Sequence, residues 1–209
     1  MSEVNEVNEE NNAPTSSAWL NIWIKPKETV RAVINRNKNR GIIFLVFFGS
    51  YATVLRIVSF SDLIRILSLR EIFLSVVVLG SIGALIFYYL VSVILQLTGR
   101  WIGGKATYKE IKLVNGYISI TAIWCLVILI PQIILVTLDK STPPILTMFN
   151  ILINIWIFII YLKSLAEVQR FSAIKSLLNV SIVSLIMYIT LFITLLVIVQ
   201  TFGKPPGVI

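Results

Sequence analysis

The chain has 209 residues, 57% of them of hydrophobic type and only 13% charged, with a mean hydropathy of +0.89. A soluble domain of that size cannot hide so much apolar surface, so lipid must be the solvent for much of it and the composition predicts a single all-α, polytopic membrane domain. The net charge of +8 falls mainly between apolar runs, where it serves topology and attraction to anionic membrane lipids rather than nucleic-acid binding.

Residues 1–17 read as a disordered polar tail. Between positions 2 and 12 they hold four glutamates and no apolar residue but valine, too little to offset the entropy of ordering. Residues 18–40 read as an interfacial segment: Trp19, Ile22 and Trp23 recur at helical spacing beside lysines and arginines, as expected at head-group level. Pro26 should divide this segment into two short helices.

Residues 41–209 then carry five apolar runs, over 41–60, 72–97, 117–138, 145–162 and 178–202. A helix rising about 1.5 Å per residue needs roughly 17 to 25 residues to cross the hydrocarbon core, and each run is close to that. The first begins too late, behind six basic residues, to be placed as a cleavable signal peptide. Between the second and third runs, Gly103-Gly104 should stop one helix, and Thr107 with Glu110 forms a capping box that should start a short interfacial one. Between the third and fourth, Pro143-Pro144 fits a tight turn.

Lysine and arginine set the orientation. Six precede the first run, four (Arg100, Lys105, Lys109, Lys112) lie in the second connection and three (Lys163, Arg170, Lys175) in the fourth; the opposite side holds Arg56, Arg65, Arg70, Lys140 and Lys204. The chain is therefore expected in the cell membrane with its amino terminus cytoplasmic and its carboxyl terminus outside.

The inventory for chemistry is thin. There is no histidine, and the single cysteine, Cys125, lies in an apolar run, so zinc sites, histidine triads and internal disulfides are excluded. No carboxylate lies well inside a run, which removes the paired acids of an intramembrane aspartyl protease. Gly99 to Lys105 lacks the spacing and the preceding strand of a phosphate-binding loop. The expectation is no enzyme, no metal and no cofactor.

Arg56 is the one charge plainly inside a run, and an ionisable group there is a functional candidate by default. The favoured reading is structural: it snorkels from near the end of its helix, or pairs with Asp62 or Glu71. Asn150 with Asn154, Thr190 with Thr194, and the small face Gly80-x-x-x-Ala84 read as helix-packing features.

Three segments on the expected cytoplasmic side carry a resemblance: Trp23 to Ile34, with Trp23, Pro26, Thr29 and Arg31; Gly103 to Glu110 followed by Gly116-Tyr117; and Leu165 to Leu177, with Glu167, Arg170 and Phe171. In order and spacing they resemble the Yip1 family, in particular its bacterial members, from about Trp19 to the carboxyl end. Thr121 departs from the pattern, since many relatives carry a proline there and with it a kink in the third helix. The resemblance implies five spans and no catalytic residue. It implies work through partners, which are small GTPases for eukaryotic members, while some bacterial members look like accessory subunits of ABC-type exporters in antimicrobial-peptide resistance. The candidate partner-binding residues are accordingly Trp19, Trp23, Pro26, Thr29, Arg31, Gly103, Gly104, Lys105, Tyr108, Lys109, Glu167, Arg170 and Phe171. The leading expectation is a non-enzymatic accessory protein of such an exporter, with a second copy of the chain as a further partner; the alternative is a small stand-alone transporter or channel.

Overall fold

The computed structural model describes residues 16–36, 41–60, 66–137 and 144–202. The acidic stretch over 2–12, Asp62 and the first proline of the Pro143-Pro144 turn lie outside the described residues.

Pro26 divides the leading segment as its chemistry requires. Helix α1 (Ser16–Ile24) stops just before it, and α2 (Pro26–Arg36) takes the proline at its first position, where a missing N–H costs nothing. The joint stays satisfied, because the Thr29 N–H and Oγ1 both donate to the Lys25 carbonyl, at 3.0 and 2.9 Å.

The five apolar runs become five spans: α3 (Ile42–Phe60), α4 (Leu69–Trp101), α5 (Tyr108–Trp124) continued by α6 (Leu126–Thr137), α7 (Pro144–Gln169) and α8 (Ala173–Phe202). Each is long and apolar enough to cross a bilayer, and among the described residues every regular element is helical.

Several helices outrun their apolar stretches. α4 starts before Ile72 because Ser68 caps it: the Ser68 Oγ accepts from the Glu71 N–H at 3.4 Å while the Ser68 N–H donates to the Glu71 carboxylate at 2.8 Å. The Thr107 and Glu110 box is present too, but the helix it opens is not a separate interfacial piece. With no proline between Tyr108 and Trp124 to stop it, that helix runs straight on as the first part of the third span. α7 likewise continues past residue 162 to Gln169, so Lys163 and Glu167 ride on its last turns.

Two irregularities were not foreseen. α4 widens into a π-helical stretch over Ile86–Val91, and the third span is interrupted at Cys125, not at Thr121, with Pro131 one turn and a half farther on. Thr121 is ordinary helix, its hydroxyl donating to the Ile118 carbonyl at 2.6 Å.

The sequence from Ile111 to Thr121 is almost wholly buried because α5 is the central post, touching α1, α2, α3, α4 and α7. Small residues permit the closeness. A Cβ on Gly49 of α3 would stand 2.6 Å from the Ser119 Cβ of α5, and Gly80 of α4 abuts the Tyr51 ring, with Ala84 buried one turn on. The second half of α8, by contrast, exposes Leu191, Phe192, Ile193, Leu195, Leu196 and Val197 in succession, on every side of the helix. Thr190 and Thr194 only donate to carbonyls of their own helix, at 2.8 Å each, and do not join helices within the chain.

Candidate functional site

At one end of the bundle two helices finish in the same way, side by side. α4 closes with Gly103 at φ +91; the Gly103 N–H reaches the Arg100 carbonyl at 3.1 Å and the Gly104 N–H reaches Gly99 at 2.7 Å. That is a Schellman cap, and a positive φ suits glycine. α7 closes through the equivalent pair, Arg170 N–H to the Glu167 carbonyl at 3.3 Å and Phe171 N–H to Ala166 at 3.2 Å, but with Arg170 itself at φ 58. The Gln169 side chain plugs the space between the two caps. Its Nε2 donates to the Leu95 carbonyl at 3.1 Å, and its amide fills the room that a Cβ on Gly99 or Gly104 would need. The Lys105 N–H returns to the Gln169 carbonyl at 3.0 Å.

α2 lies across this end against α7 and α5. Its amphipathic pattern buries Val30 and Val33 and leaves Lys27 and Arg31 outside. The Arg31 Nη2 reaches the Glu167 carboxylate at 2.6 Å. That hydrogen bond first, and the carboxylate charge second, raise the Arg31 guanidinium above its ordinary pKa. A raised cation contributes its stabilisation at every pH below its ordinary value, so this guanidinium adds no pH dependence near neutrality. From α8, the Lys175 Nζ donates to the Ile102 carbonyl at 3.3 Å. The three segments, far apart in sequence, thus form one platform. Its described carboxylates are already engaged: Glu28 with Lys25 at 3.4 Å, Glu110 in its capping box and Glu167 with Arg31. Lys27, Lys105, Lys109 and Arg170 remain exposed, so the surface field is positive.

Beneath the platform the helices share buried polar groups. Asn115 of α5, fully buried, donates to the Ser92 hydroxyl at 2.8 Å and accepts from the Tyr161 hydroxyl at 3.2 Å, tying α4, α5 and α7. Asn179 of α8 donates to the Leu95 carbonyl at 3.2 Å and accepts from Thr98. Three buried atoms there, Ser164 Oγ, Gln169 Oε1 and Ser176 Oγ, have no partner among the described residues. Beside this network the Lys112 ammonium stands 5.2 Å from the Tyr88 ring centre, 5.2 Å from that of Tyr89 and 5.3 Å from that of Tyr108, an aromatic cage around a cation.

Arg56 sits elsewhere, toward the far end of α3. Its Nη1 donates to the side-chain amide oxygen of Asn154 on α7. Glu71, one of the two partners considered for it, is instead occupied in the Ser68 cap of its own helix. The Asn154 amide in turn donates to the Asn150 carbonyl at 2.7 Å, and Asn150 to Gln132 of α6 at 3.3 Å. The asparagine pair therefore does join helices, with Arg56 at the end of its relay. Arg56 and Asn154 face a cleft of about 530 Å³ between α3, α4, α5 and α7.

A family profile described as the Yip1 domain matches residues 20–194. The chain belongs to the Yip1 family. Searches among curated proteins and solved structures returned no match. The Yip1 match runs from inside α1 to inside α8 and takes in four spans and most of the fifth, and with them the chain is a multi-pass membrane protein of that family, whose members are generally non-enzymatic.

Within this Yip1 protein the residues that carried the resemblance divide by exposure. Pro26 and Thr29 are buried and hold the α1–α2 joint; Gly103 and Gly104 shape the cap; Trp23, Tyr108, Glu167 and Phe171 are half-buried; Trp19, Arg31, Lys105, Lys109 and Arg170 face outward. Trp23 is also tied to α7, its carbonyl accepting from the Trp156 indole at 3.3 Å. Sequence reasoning overlooked Gln169, the Asn115 network and the Lys112 cage. One signal was available for the last: Tyr108 and Lys112 are spaced i, i+4 at the start of a helix, although Tyr88 and Tyr89 are brought to them only by packing.

Proposed function

We propose that this Yip1 protein is a non-enzymatic accessory protein that docks a partner membrane assembly through the platform formed by α2, the α4–α5 turn and the α7–α8 turn. The observation that supports the reading is the convergence of those three segments, through the Arg31–Glu167 pair and the Lys105 and Lys175 contacts, on a surface whose exposed charge is positive. Its complement is an acidic surface on the partner, and electrostatic matching of that kind mainly speeds and selects encounter. In the finer reading, which draws on the resemblance to bacterial members, the partner is an ABC-type exporter of the cell membrane that protects against an antimicrobial peptide, and the platform is cytoplasmic.

The test is gentle detergent extraction followed by co-purification from wild-type cells and from cells carrying Lys105→Glu, Lys109→Glu and Arg170→Glu together. Exporter subunits recovered with the native chain and lost from the triple variant, with peptide sensitivity raised by deletion, are the expected result. Recovery of the chain alone with unchanged sensitivity on deletion sinks it. The stand-alone transporter reading has one observation in its favour, the Arg56 cleft within the bundle. It requires solute flux from the purified protein in liposomes.

A further inference from the structure

The cleft at Arg56 combines a charge with an apolar channel, and its position in the bilayer is decided by the helix that carries it. α3 ends at Phe60, so Arg56 stands one turn short of that end, about 6 Å along the axis. Its guanidinium reaches back to Asn154, ten residues or about 15 Å inside the start of α7, so the charge lies below head-group level, in the half of the bundle away from the basic platform. From it the cleft of about 530 Å³ runs back between the helices past Val54, Ile118, Phe158 and Phe87. That volume falls within the usual range for sites that bury a small amphiphile.

The cation is positioned but not neutralised by the described residues. Its contacts among them, the Asn154 amide oxygen and the Cys125 thiol, are uncharged. Asn154 cannot turn away, because its own NH₂ is committed to the Asn150 carbonyl and Asn150 is held by Gln132. A guanidinium has five N–H donors in a planar fork suited to phosphate oxygens, so one amide contact leaves most of that capacity free. An uncompensated charge near the hydrocarbon is costly, and a phosphate brought to it relieves the cost while keeping its own hydrogen bonds. Access is lateral. Arg56 and Asn154 also line a second hollow of about 300 Å³ with Asn150, Ile57 and Ile151, and those two isoleucines are 60% and 56% exposed on the lipid side.

We propose that this cleft seats one anionic phospholipid from the leaflet opposite the platform, with its phosphodiester on Arg56 and an acyl chain in the apolar channel between α3, α4, α5 and α7. The seat is independent of docking at the basic end, so either reading can fail without the other.

Native mass spectrometry of the full-length protein, released from detergent after titration with phosphatidylglycerol, with phosphatidylcholine of the same chains or with inorganic phosphate, tests it. Phosphatidylglycerol should be retained roughly ten-fold over phosphatidylcholine, which presents the same phosphodiester but brings its choline cation toward the Arg56 guanidinium. Arg56→Gln should abolish that preference, and Arg56→Lys should keep part of it. Ala122→Phe, which narrows the channel without touching the charge, should lower retention of both lipids, and it keeps the test alive should Arg56→Gln fail to fold. Joint replacement of Lys105 and Lys109 by alanine at the other end should leave the Arg56-dependent part of the preference unchanged. The proposal is overturned if Arg56→Gln and Ala122→Phe retain phosphatidylglycerol as the native chain does. It is equally overturned if only the platform variant loses the lipid, or if inorganic phosphate displaces it at equal concentration.

Discussion

Arg170 occupies a backbone position that helices normally give to glycine. Its φ of 58 at the end of α7 strains an L-residue, yet the Phe171 N–H still reaches the Ala166 carbonyl. Arg170 is exposed, next to the Gln169 carbonyl that the Lys105 N–H reaches. Arg170→Gly should therefore raise the stability of the folded chain by about 1 kcal/mol in detergent melts, while weakening recovery of the docked partner. A variant that loses stability would remove the strain argument. The buried polar groups make an opposed pair. Asn115→Ala strands the Tyr161 hydroxyl, while Ser92 still donates to the Tyr88 carbonyl, and should cost about 1 to 3 kcal/mol, whereas Ser176→Ala removes a buried hydroxyl that has no partner among the described residues and should be neutral or stabilising. Thermal unfolding of the two variants side by side should show the melting point lowered for the first and unchanged or raised for the second.

Helix ends, rather than helix interiors, organise the elements at the platform. Thr107 starts α5 through its hydroxyl and Glu110, and Thr107→Ala should cost about 1 kcal/mol, as caps generally do. Gly104→Ala should cost more, about 2 kcal/mol, because its Cβ would stand 2.8 Å from the Gly99 carbonyl oxygen and collide with the Gln169 side chain. The ranking is the useful prediction: melts in which the cap variant is worse than the glycine variant would contradict the plugged-cap geometry. The Ser68 box shows the limit of reading such ends by hydropathy. Its Ser-x-x-Glu pattern is as plain as that of Thr107, but it stands outside the apolar run, and a boundary placed at Ile72 passes over it.

For the whole molecule, the distribution of lysine and arginine predicts which end faces the cytoplasm. With Cys125 replaced by serine, single cysteines in place of Lys105 and of Lys140 should respond oppositely to a membrane-impermeant thiol reagent on intact cells. The first should be protected and the second labelled. The reverse pattern would invert the topology, moving the docking platform outside and the Arg56 lipid seat to the inner leaflet. The Yip1 match and the five spans hold under either orientation.

Five spans, the proline joint at Pro26, the glycine stop after Trp101 and the Thr107 cap were all determined by the sequence alone. Each depends on residues within a turn or two of one another: the length of an apolar run, a missing N–H, a backbone able to adopt positive φ, a hydroxyl three residues from a carboxylate. The family resemblance was legible for a related reason, since its three segments keep their order and spacing along the chain. Only the tertiary structure decided that Arg56 meets Asn154, 98 residues away, rather than Glu71, that Gln169 fills the space left by Gly99 and Gly104, and that three tyrosines gather around Lys112. Those contacts depend on how each helix is turned about its axis and how closely its neighbours approach. In lipid that is settled by small residues and shared hydrogen bonds between helices, because apolar surface alone gives one helix no preference for another over the surrounding chains.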